Sequence, residues 1–245
     1  MNPANLRLKK PETLDTTVLT SNSTGYSDVS QVILPVNRWY IPFKYTLDWL
    51  LALVLMVPAI PLVLISALIV KLTSRGPAFY SQVRVGNFGK PFRIIKIRSM
   101  VDKCESLTGP RWSIPGDPRI TPFGHFLRLS HLDELPQLLN VLAGQMSLIG
   151  PRPERPEFLP DLENALPAYR QRLNLRPGVT GLSQIQLPPD QDLNSVERKL
   201  SYDLYYVRHA SLSLDFRILV GTAGYALRLP FQWVGQVLGL SLIHI

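Results

Sequence analysis

Cysteine is nearly absent from this chain. Cys104 stands alone among 245 residues, so no intramolecular disulfide framework holds the fold and a reducing compartment is expected. Histidine is scarce too, and His125, His131, His209 and His244 never fall at zinc-ligand spacing with that cysteine, which argues against a structural zinc. Only 18% of the residues are charged while 46% are hydrophobic, a balance that excludes a chain disordered throughout. In excess are positive charge, 26 Lys and Arg against 18 Asp and Glu for a formal net of +8, and proline, with 22 residues. The first favours an acidic partner: nucleic acid, anionic lipid or a phosphorylated small molecule. The second implies fixed turns and few long helices.

One long run departs from that pattern. Trp49 to Val70 carries no charge over 22 positions, long enough for a membrane helix. It follows more than forty mostly polar residues and lacks an Ala-x-Ala-like cleavage site, so it is not a signal peptide. Pro58 and Pro61, near its middle, each delete a backbone donor and crowd the carbonyl four residues earlier, which predicts a sharp kink. Arg38 and Lys44 precede the run; Lys71, Arg75 and Arg84 follow it. Positive charge on both flanks places both ends on the cytoplasmic side. A kinked helix dipping into one leaflet satisfies this, a single-pass helix is the alternative, and the residues alone leave the two about even.

Residues 1–42 are polar and read as a mobile lead-in. Ala78–Val85 and Phe92–Ile97, joined through Gly86-Asn87-Phe88-Gly89, predict a β-hairpin, the one strong β signal. Helical patches follow at 99–106, 122–130, 134–142, 156–174 with breaks at Pro160 and Pro167, 195–208 and 213–229. The last is poor in charge and reads as a helix in the membrane interface rather than one packed on the core. The terminal Leu240–Ile245 resembles a translated sequencing-adapter end, and residues 231–245 are set aside as a tail.

The densest chemistry lies in Leu132-Asp133-Glu134-Leu135-Pro136-Gln137, where adjacent carboxylates open a predicted helix. On spacing alone helix capping accounts for them best, since Asp, Glu and Pro all suit a helix start. The functional reading is a carboxylate that attacks phosphorus or holds Mg²⁺. Cations to meet a phosphate are plentiful: Arg93, Lys96, Arg98, Arg119, Arg128 and Arg152. In Gly150-Pro151-Arg152-Pro153 the flanking prolines hold Arg152 extended, so its guanidinium meets an anion with little loss of entropy. Arg176-Pro177-Gly178-Val179-Thr180-Gly181 reads as a tight turn before a short strand.

Six segments in order carry a family resemblance: Gly76-Pro77-Ala78-Phe79-Tyr80-Ser81-Gln82-Val83-Arg84-Val85-Gly86, Lys96-Ile97-Arg98-Ser99-Met100, Asp117-Pro118-Arg119-Ile120-Thr121-Pro122, Asp133-Glu134-Leu135-Pro136-Gln137, Met146-Ser147-Leu148-Ile149-Gly150-Pro151-Arg152-Pro153 and Arg176-Pro177-Gly178-Val179-Thr180-Gly181. From about Phe43 to Leu229 the chain closely resembles the bacterial sugar transferases, the monotopic phosphoglycosyl transferases that start surface-glycan assembly. The resemblance implies ping-pong transfer of a sugar phosphate from a UDP-sugar to undecaprenyl phosphate, with release of UMP. Asp133 would be the nucleophile, Glu134 its catalytic partner, Mg²⁺ the cofactor beside Asp133, and Lys96, Arg128, Arg152 and Pro153 the lining of the phosphate site. It also implies a re-entrant helix broken at proline, which shifts the topology toward that form.

Four positions depart from the family pattern. Lys-Arg-x-x-Asp before the membrane helix reads Lys44-Tyr45-Thr46-Leu47-Asp48, without the arginine. The usual Ser-Pro break is Ile60-Pro61 with an added Pro58. Gln145 replaces an acid, and Ile185-Gln186-Leu187-Pro188-Pro189 follows Gln184 where many members have Val-Asn-Gly-Arg-Asn.

The expected architecture is therefore α+β: a re-entrant membrane helix over 43–72 broken at Pro58 and Pro61, then a small, mostly helical catalytic domain over 73–230 with a short β-hairpin, in the family's compact form. The resemblance places it at the cytoplasmic face of the bacterial inner membrane, in contact with anionic lipid and with downstream membrane glycosyltransferases. A catalytically silent scaffold for glycan export is the competing reading. No nucleic-acid partner is expected, because aromatic and basic residues do not interleave into a stacking platform.

Overall fold

The computed structural model describes residues 33–106, 109–114, 116–188, 192–226 and 239. The readings for 1–32 and for nearly all of 227–245 lie outside the described residues. Helix α1 (Tyr40–Thr73) leads into the antiparallel hairpin of β1 (Phe79–Val85) and β2 (Pro91–Ile97), in which Tyr80 faces Lys96. Then come α2 (Pro122–Ser130), a 3-10 segment Leu132–Gln137 running into α3 (Leu138–Leu142), and β3 (Ser147–Ile149). After α4 (Leu159–Ala165) and the 3-10 segment Tyr169–Asn174, β4 (Gly178–Thr180) pairs in parallel with β3. Helices α5 (Leu182–Gln186), α6 (Leu193–His209) and α7 (Leu212–Ala226) complete the order.

The hairpin, α2 and α6 form where residue patterning predicts them. Segment 99–106 does not form a helix: Met100 bridges Ile120, and the chain then turns, with Lys103 at a positive φ of 53° that a helix cannot hold. Pro160 does not break α4 but sits in its first turn, where a missing N–H costs nothing. Neither β3 nor α5 was marked by periodicity, each being too short for one to show.

α1 is one helix of 34 residues, about 50 Å long at 1.5 Å per residue. It starts three residues earlier than expected and stays helical through Pro58 and Pro61, so the expected break is not an interruption of the helical run. The prolines instead leave the Val54 and Val57 carbonyls without their intrahelical donors. Tyr40, Lys44, Asp48, Ala52, Ala59, Ser66, Ala67 and Val70 are buried, and the partly buried Met56 and Val63 fill the two gaps. These positions recur every three or four residues, so one stripe packs on the body along the whole helix. The opposite face exposes Leu50, Leu53, Val54, Val57, Ile60 and Leu64.

Both ends of the stripe dock on the same body. Near the start, Lys44 Nζ lies 2.9 Å from Asp48 and 2.8 Å from Asp215 of α7, while Ser147 of β3 donates to Asp48. The Tyr40 and Tyr206 hydroxyls complete this buried cluster by donating to Asp215 at 2.7 and 2.6 Å. Near the far end Val70 packs with Ile97 of β2 and Leu127 of α2, and Arg98 donates to the carbonyls of Ser74 and Arg75 just past the helix.

The β3–β4 contact depends on glycine. A Cβ on Gly178 would lie 2.1 Å from the Gly150 nitrogen, and one on Gly181 2.2 Å from the Gly150 oxygen. Backbone against backbone leaves no side chain to move aside. Gly178→Ala is therefore expected to destabilise the protein by about 3 kcal/mol. Thermal unfolding in detergent or nanodiscs checks this; an unchanged midpoint would show that the β3–β4 approach is not limiting.

Candidate active site

Three elements converge on the paired carboxylates. His131 adopts a left-handed conformation (φ 56°) that ends α2 and turns the chain, and its carbonyl accepts the Glu134 N–H at 3.1 Å. His131, not Asp133, thus holds the cap position, while both acids lie in the first turn of the segment, as a helix start allows. The hairpin supplies Lys96 from β2, and the loop after β3 supplies Arg152.

Lys96 Nζ and Arg152 Nη2 both lie 2.7 Å from a single atom, Glu134 Oε1. Burial alone would raise the Glu134 pKa, but the Arg152 and Lys96 charges outweigh it and hold Glu134 well below the usual carboxylate range. Asp133 is buried, at 6% exposure, yet its carboxylate makes no hydrogen bond or ion pair among the described residues. Burial therefore pushes its pKa up; Lys96 only partly opposes this, and the Glu134 charge adds to it. Adjacent acids are driven apart by their surroundings, one clamped between cations and the other left with its lone pairs free.

Arg128 has a different partner set. Its Nε donates to Ser99 Oγ at 2.9 Å and its Nη1 to Ser113 Oγ at 2.8 Å. Both are neutral hydroxyls, so the guanidinium is oriented while its charge stays uncancelled by any direct ion pair among the described residues. Asp133 and Asp117 lie within its electrostatic reach. The Pro153 carbonyl accepts from Arg84 Nη1 at 3.2 Å, tying the Arg152 loop to β1.

A cavity of about 960 Å³ opens over these groups, with Lys96, Arg128, Asp133, Glu134, Arg152 and Pro153 all in its wall. All six predicted site residues are brought together. Two other candidate cations are engaged elsewhere: Arg119 is bound to Asp117, at 2.6 Å through Nη2, and Arg98 caps the end of α1. Arg93 is exposed and is not in the cavity wall. Sequence reasoning did not single out Ser99, which lies within a quoted segment, or Ser113 and Arg172, which lie in none; each contacts another residue of the site. It also missed the Lys44–Asp48–Asp215 cluster, for which an i, i+4 ion pair at the head of an apolar helix was an available signal.

A family comparison decides what this constellation belongs to. The model of the family described as "Bacterial sugar transferase" matches residues 39–228. The chain belongs to the bacterial sugar transferase family. Among the transferase's relatives is a UDP-glucose:undecaprenyl-phosphate glucose-1-phosphate transferase of Xanthomonas campestris pv. campestris, 39% identical over 189 residues, covering 76% of this chain and 39% of that protein. A UDP-N-acetylgalactosamine-undecaprenyl-phosphate N-acetylgalactosaminephosphotransferase of Aeromonas hydrophila is 40% identical over 174 residues, covering 71% and 41%. An exopolysaccharide production protein PSS of Rhizobium leguminosarum bv. phaseoli is 41% identical over 169 residues, covering 66% and 84%. The chain thus spans about two-fifths of the length of the first two.

Two of the departures from the family pattern have local explanations. Gln145 Oε1 accepts from Asn140 Nδ2 at 2.8 Å, so the amide still supplies the acceptor that an acid would. Tyr45, standing where the family has arginine, places its ring 4.0 Å under the Arg176 guanidinium and accepts the Arg176 N–H at 3.0 Å.

The two carboxylates contribute to stability with opposite signs. Asp133, with a raised folded pKa, penalises folding above that pKa, and the penalty disappears as pH falls below its unfolded value. Glu134, with a depressed folded pKa, stabilises above its unfolded pKa and loses that contribution as pH falls through the folded one. Without metal or nucleotide, Asp133→Asn is expected to stabilise the protein by about 1 kcal/mol at pH 7, with the gain shrinking in acid. Glu134→Gln should destabilise at pH 7 and converge on the unsubstituted protein at low pH. Melting curves from pH 3.5 to 7.5 test both, and a destabilised Asp133→Asn at neutral pH would contradict the assignment.

Proposed function

We propose that the chain transfers a sugar 1-phosphate from a UDP-sugar to undecaprenyl phosphate, releasing UMP and initiating assembly of a surface glycan. The observation that carries this reading is the free, buried Asp133 carboxylate among Lys96, Arg128 and Arg152. An Asp133 oxygen attacks the sugar-bearing phosphorus, the bond to UMP breaks, and a phosphosugar ester on Asp133 results. The undecaprenyl phosphate oxygen then attacks the same phosphorus and returns Asp133 as carboxylate. Two steps let one site serve a soluble donor and then a lipid acceptor.

A carboxylate is a weak nucleophile, and a diphosphate repels it. Lys96 and Arg152, gathered by Glu134, together keep one net positive charge at the site, and Arg128 adds another. Charge placed before attack costs no reorganisation during it. In this reading Glu134 sets where the cations stand, since its low pKa and doubly occupied Oε1 suit it poorly to act as a base.

The residues fit Mg²⁺. No group of three or more Asp, Glu, His or Cys among the described residues forms a cage, and Mg²⁺ characteristically binds through one or two carboxylates plus substrate phosphates. Asp133 is the residue that would hold it. When bound, the ion would neutralise diphosphate charge.

The membrane topology is part of the proposal. A helix spanning the bilayer separates its ends by about 30 Å of hydrocarbon, whereas α1 docks both ends on one body and offers an apolar face along its length. This supports entry into and return from one leaflet, with the catalytic body on the cytoplasmic face of the inner membrane. Such an anchor keeps a polyprenol tail in the bilayer while its phosphate reaches the site.

Membrane fractions given UDP-glucose, UDP-N-acetylgalactosamine and other UDP-sugars, with undecaprenyl phosphate and Mg²⁺, should release UMP from a preferred donor. Asp133→Asn should lower that rate at least ~10³-fold. Full activity in Asp133→Asn would refute the covalent route, and no release from any donor would favour the silent scaffold. Topology is tested with Ser23→Cys in a Cys104→Ala background: a membrane-impermeant thiol reagent added from the periplasmic side should not label it, and labelling would establish a spanning helix.

A further inference from the structure

Arg172 lies outside the six segments that carry the family resemblance, yet it is the most fully bonded guanidinium near the site. It sits in the 3-10 segment Tyr169–Asn174 and is 7% exposed. Its Nε donates to Asp203 Oδ2 at 2.9 Å, its Nη2 to the same oxygen at 2.5 Å, and its Nη1 to the Tyr169 hydroxyl at 2.6 Å. The second oxygen of Asp203, on α6, accepts from Ser183 Oγ of α5 at 2.7 Å. Arg172 is therefore fixed by two helices and its own segment.

One bond from this cluster points elsewhere. Arg172 Nη2 donates to the backbone carbonyl of Arg152 at 2.9 Å. That carbonyl belongs to the peptide between Arg152 and Pro153. Pro151 has a fixed φ, and Pro153 keeps the residue before it extended, so Arg172 supplies a third constraint on the Arg152 backbone. The side chain from that backbone ends on Glu134 Oε1, the atom that also receives Lys96. A small rotation of the Arg152 peptide would carry its exposed guanidinium off Glu134, because the side chain is long and 46% exposed.

We infer that Arg172, held by Asp203 and Ser183, is a positioning residue that places Arg152 against Glu134 and so sets the cation pair that receives the donor diphosphate. The inference deepens the proposed function and rests on it for its kinetic consequence, while the positioning itself is a statement about the ligand-free protein.

A double-mutant cycle separates positioning from a merely structural role. Arg172→Lys keeps the charge but cannot bond Asp203, Tyr169 and Arg152 together. It should lower kcat/KM for the preferred UDP-sugar about tenfold in the parent protein but less than twofold in an Arg152→Lys background, since partners in one network are non-additive. Equal losses in both backgrounds would overturn the inference. Should Arg172→Lys fail to fold, Ser183→Ala, two bonds further out, should give the same ordering with a smaller loss.

A second readout needs no turnover. With arginine labelled in ¹⁵N and the protein in nanodiscs, the Arg152 Nε–H resonance, identified by its absence from Arg152→Lys, should shift in Arg172→Lys as it does in Glu134→Gln. An Arg152 resonance unmoved by Arg172→Lys would overturn the inference whatever the activity. A shift without turnover from any UDP-sugar would uphold the positioning and refute the enzymatic reading alone.

Discussion

Sharing one carboxylate oxygen between two cations is a demanding arrangement, and most of this structure is disposed around the Lys96–Glu134–Arg152 contact. Two like charges approach within hydrogen-bond range of the same atom, one of them, Lys96, largely buried and the other, Arg152, half exposed, so their mutual repulsion must be offset by the carboxylate between them. Only a rigid frame holds them there. The hairpin fixes Lys96, and Asn140 fixes the hairpin: its side chain accepts the Ile95 N–H at 3.2 Å and donates to the Arg93 carbonyl at 2.7 Å, holding β2 just before Lys96. The Gly150–Gly178–Gly181 approach fixes Arg152 from the other side.

α1 contributes to the same frame as well as to membrane contact. Its inner stripe packs against the Leu132–Gln137 segment, α3, β2 and β3, the elements that carry or flank the site. Small residues on that stripe, Ala52, Ala59, Ser66 and Ala67, let the helix lie close. At its head the buried Lys44–Asp48–Asp215 cluster ties α1 to α7 at a site where breaking one partner would leave charge uncompensated. The helix with the apolar outer face and the segment that bears Asp133 are thus packed together, which in the proposed function couples depth in the membrane to placement of the nucleophile.

Much of this was legible in the residues. Alternating β-branched and aromatic residues around Gly86-Asn87-Phe88-Gly89 marked the hairpin, and Thr121-Pro122 marked the start of α2, where Thr121 Oγ1 indeed accepts the Gly124 N–H at 3.0 Å. Lys96, Asp133, Glu134, Arg152 and Pro153 were legible through the quoted segments, and Arg128, outside them, through the resemblance alone. What was not legible depends on contacts distant in sequence. Asp133 and Glu134 are neighbours of the same type, and only Lys96, 38 positions from Glu134, and Arg152 distinguish them. Periodicity could not find β3, three residues long and paired with a strand nearly thirty positions on. The 99–106 segment has helical composition, but its ends are held by Met100–Ile120 pairing and by Glu105, whose carboxylate binds Arg155 at 2.8 and 3.0 Å.

The unbonded state of Asp133 follows from the same economy of charge. In the proposed reaction, pairing Lys96 or Arg152 with Asp133 directly would lower its pKa and commit its lone pairs, weakening it as a nucleophile toward phosphorus, whereas giving both cations to Glu134 keeps their field near Asp133 and leaves its carboxylate free to form a bond. The cost is a buried carboxylate without a partner, which folding must absorb, and the tight glycine contacts and the full-length α1 stripe are where compensating packing is found. A site that stabilised both acids equally would be more stable and less reactive, which is why two adjacent carboxylates of nearly identical chemistry need such different surroundings.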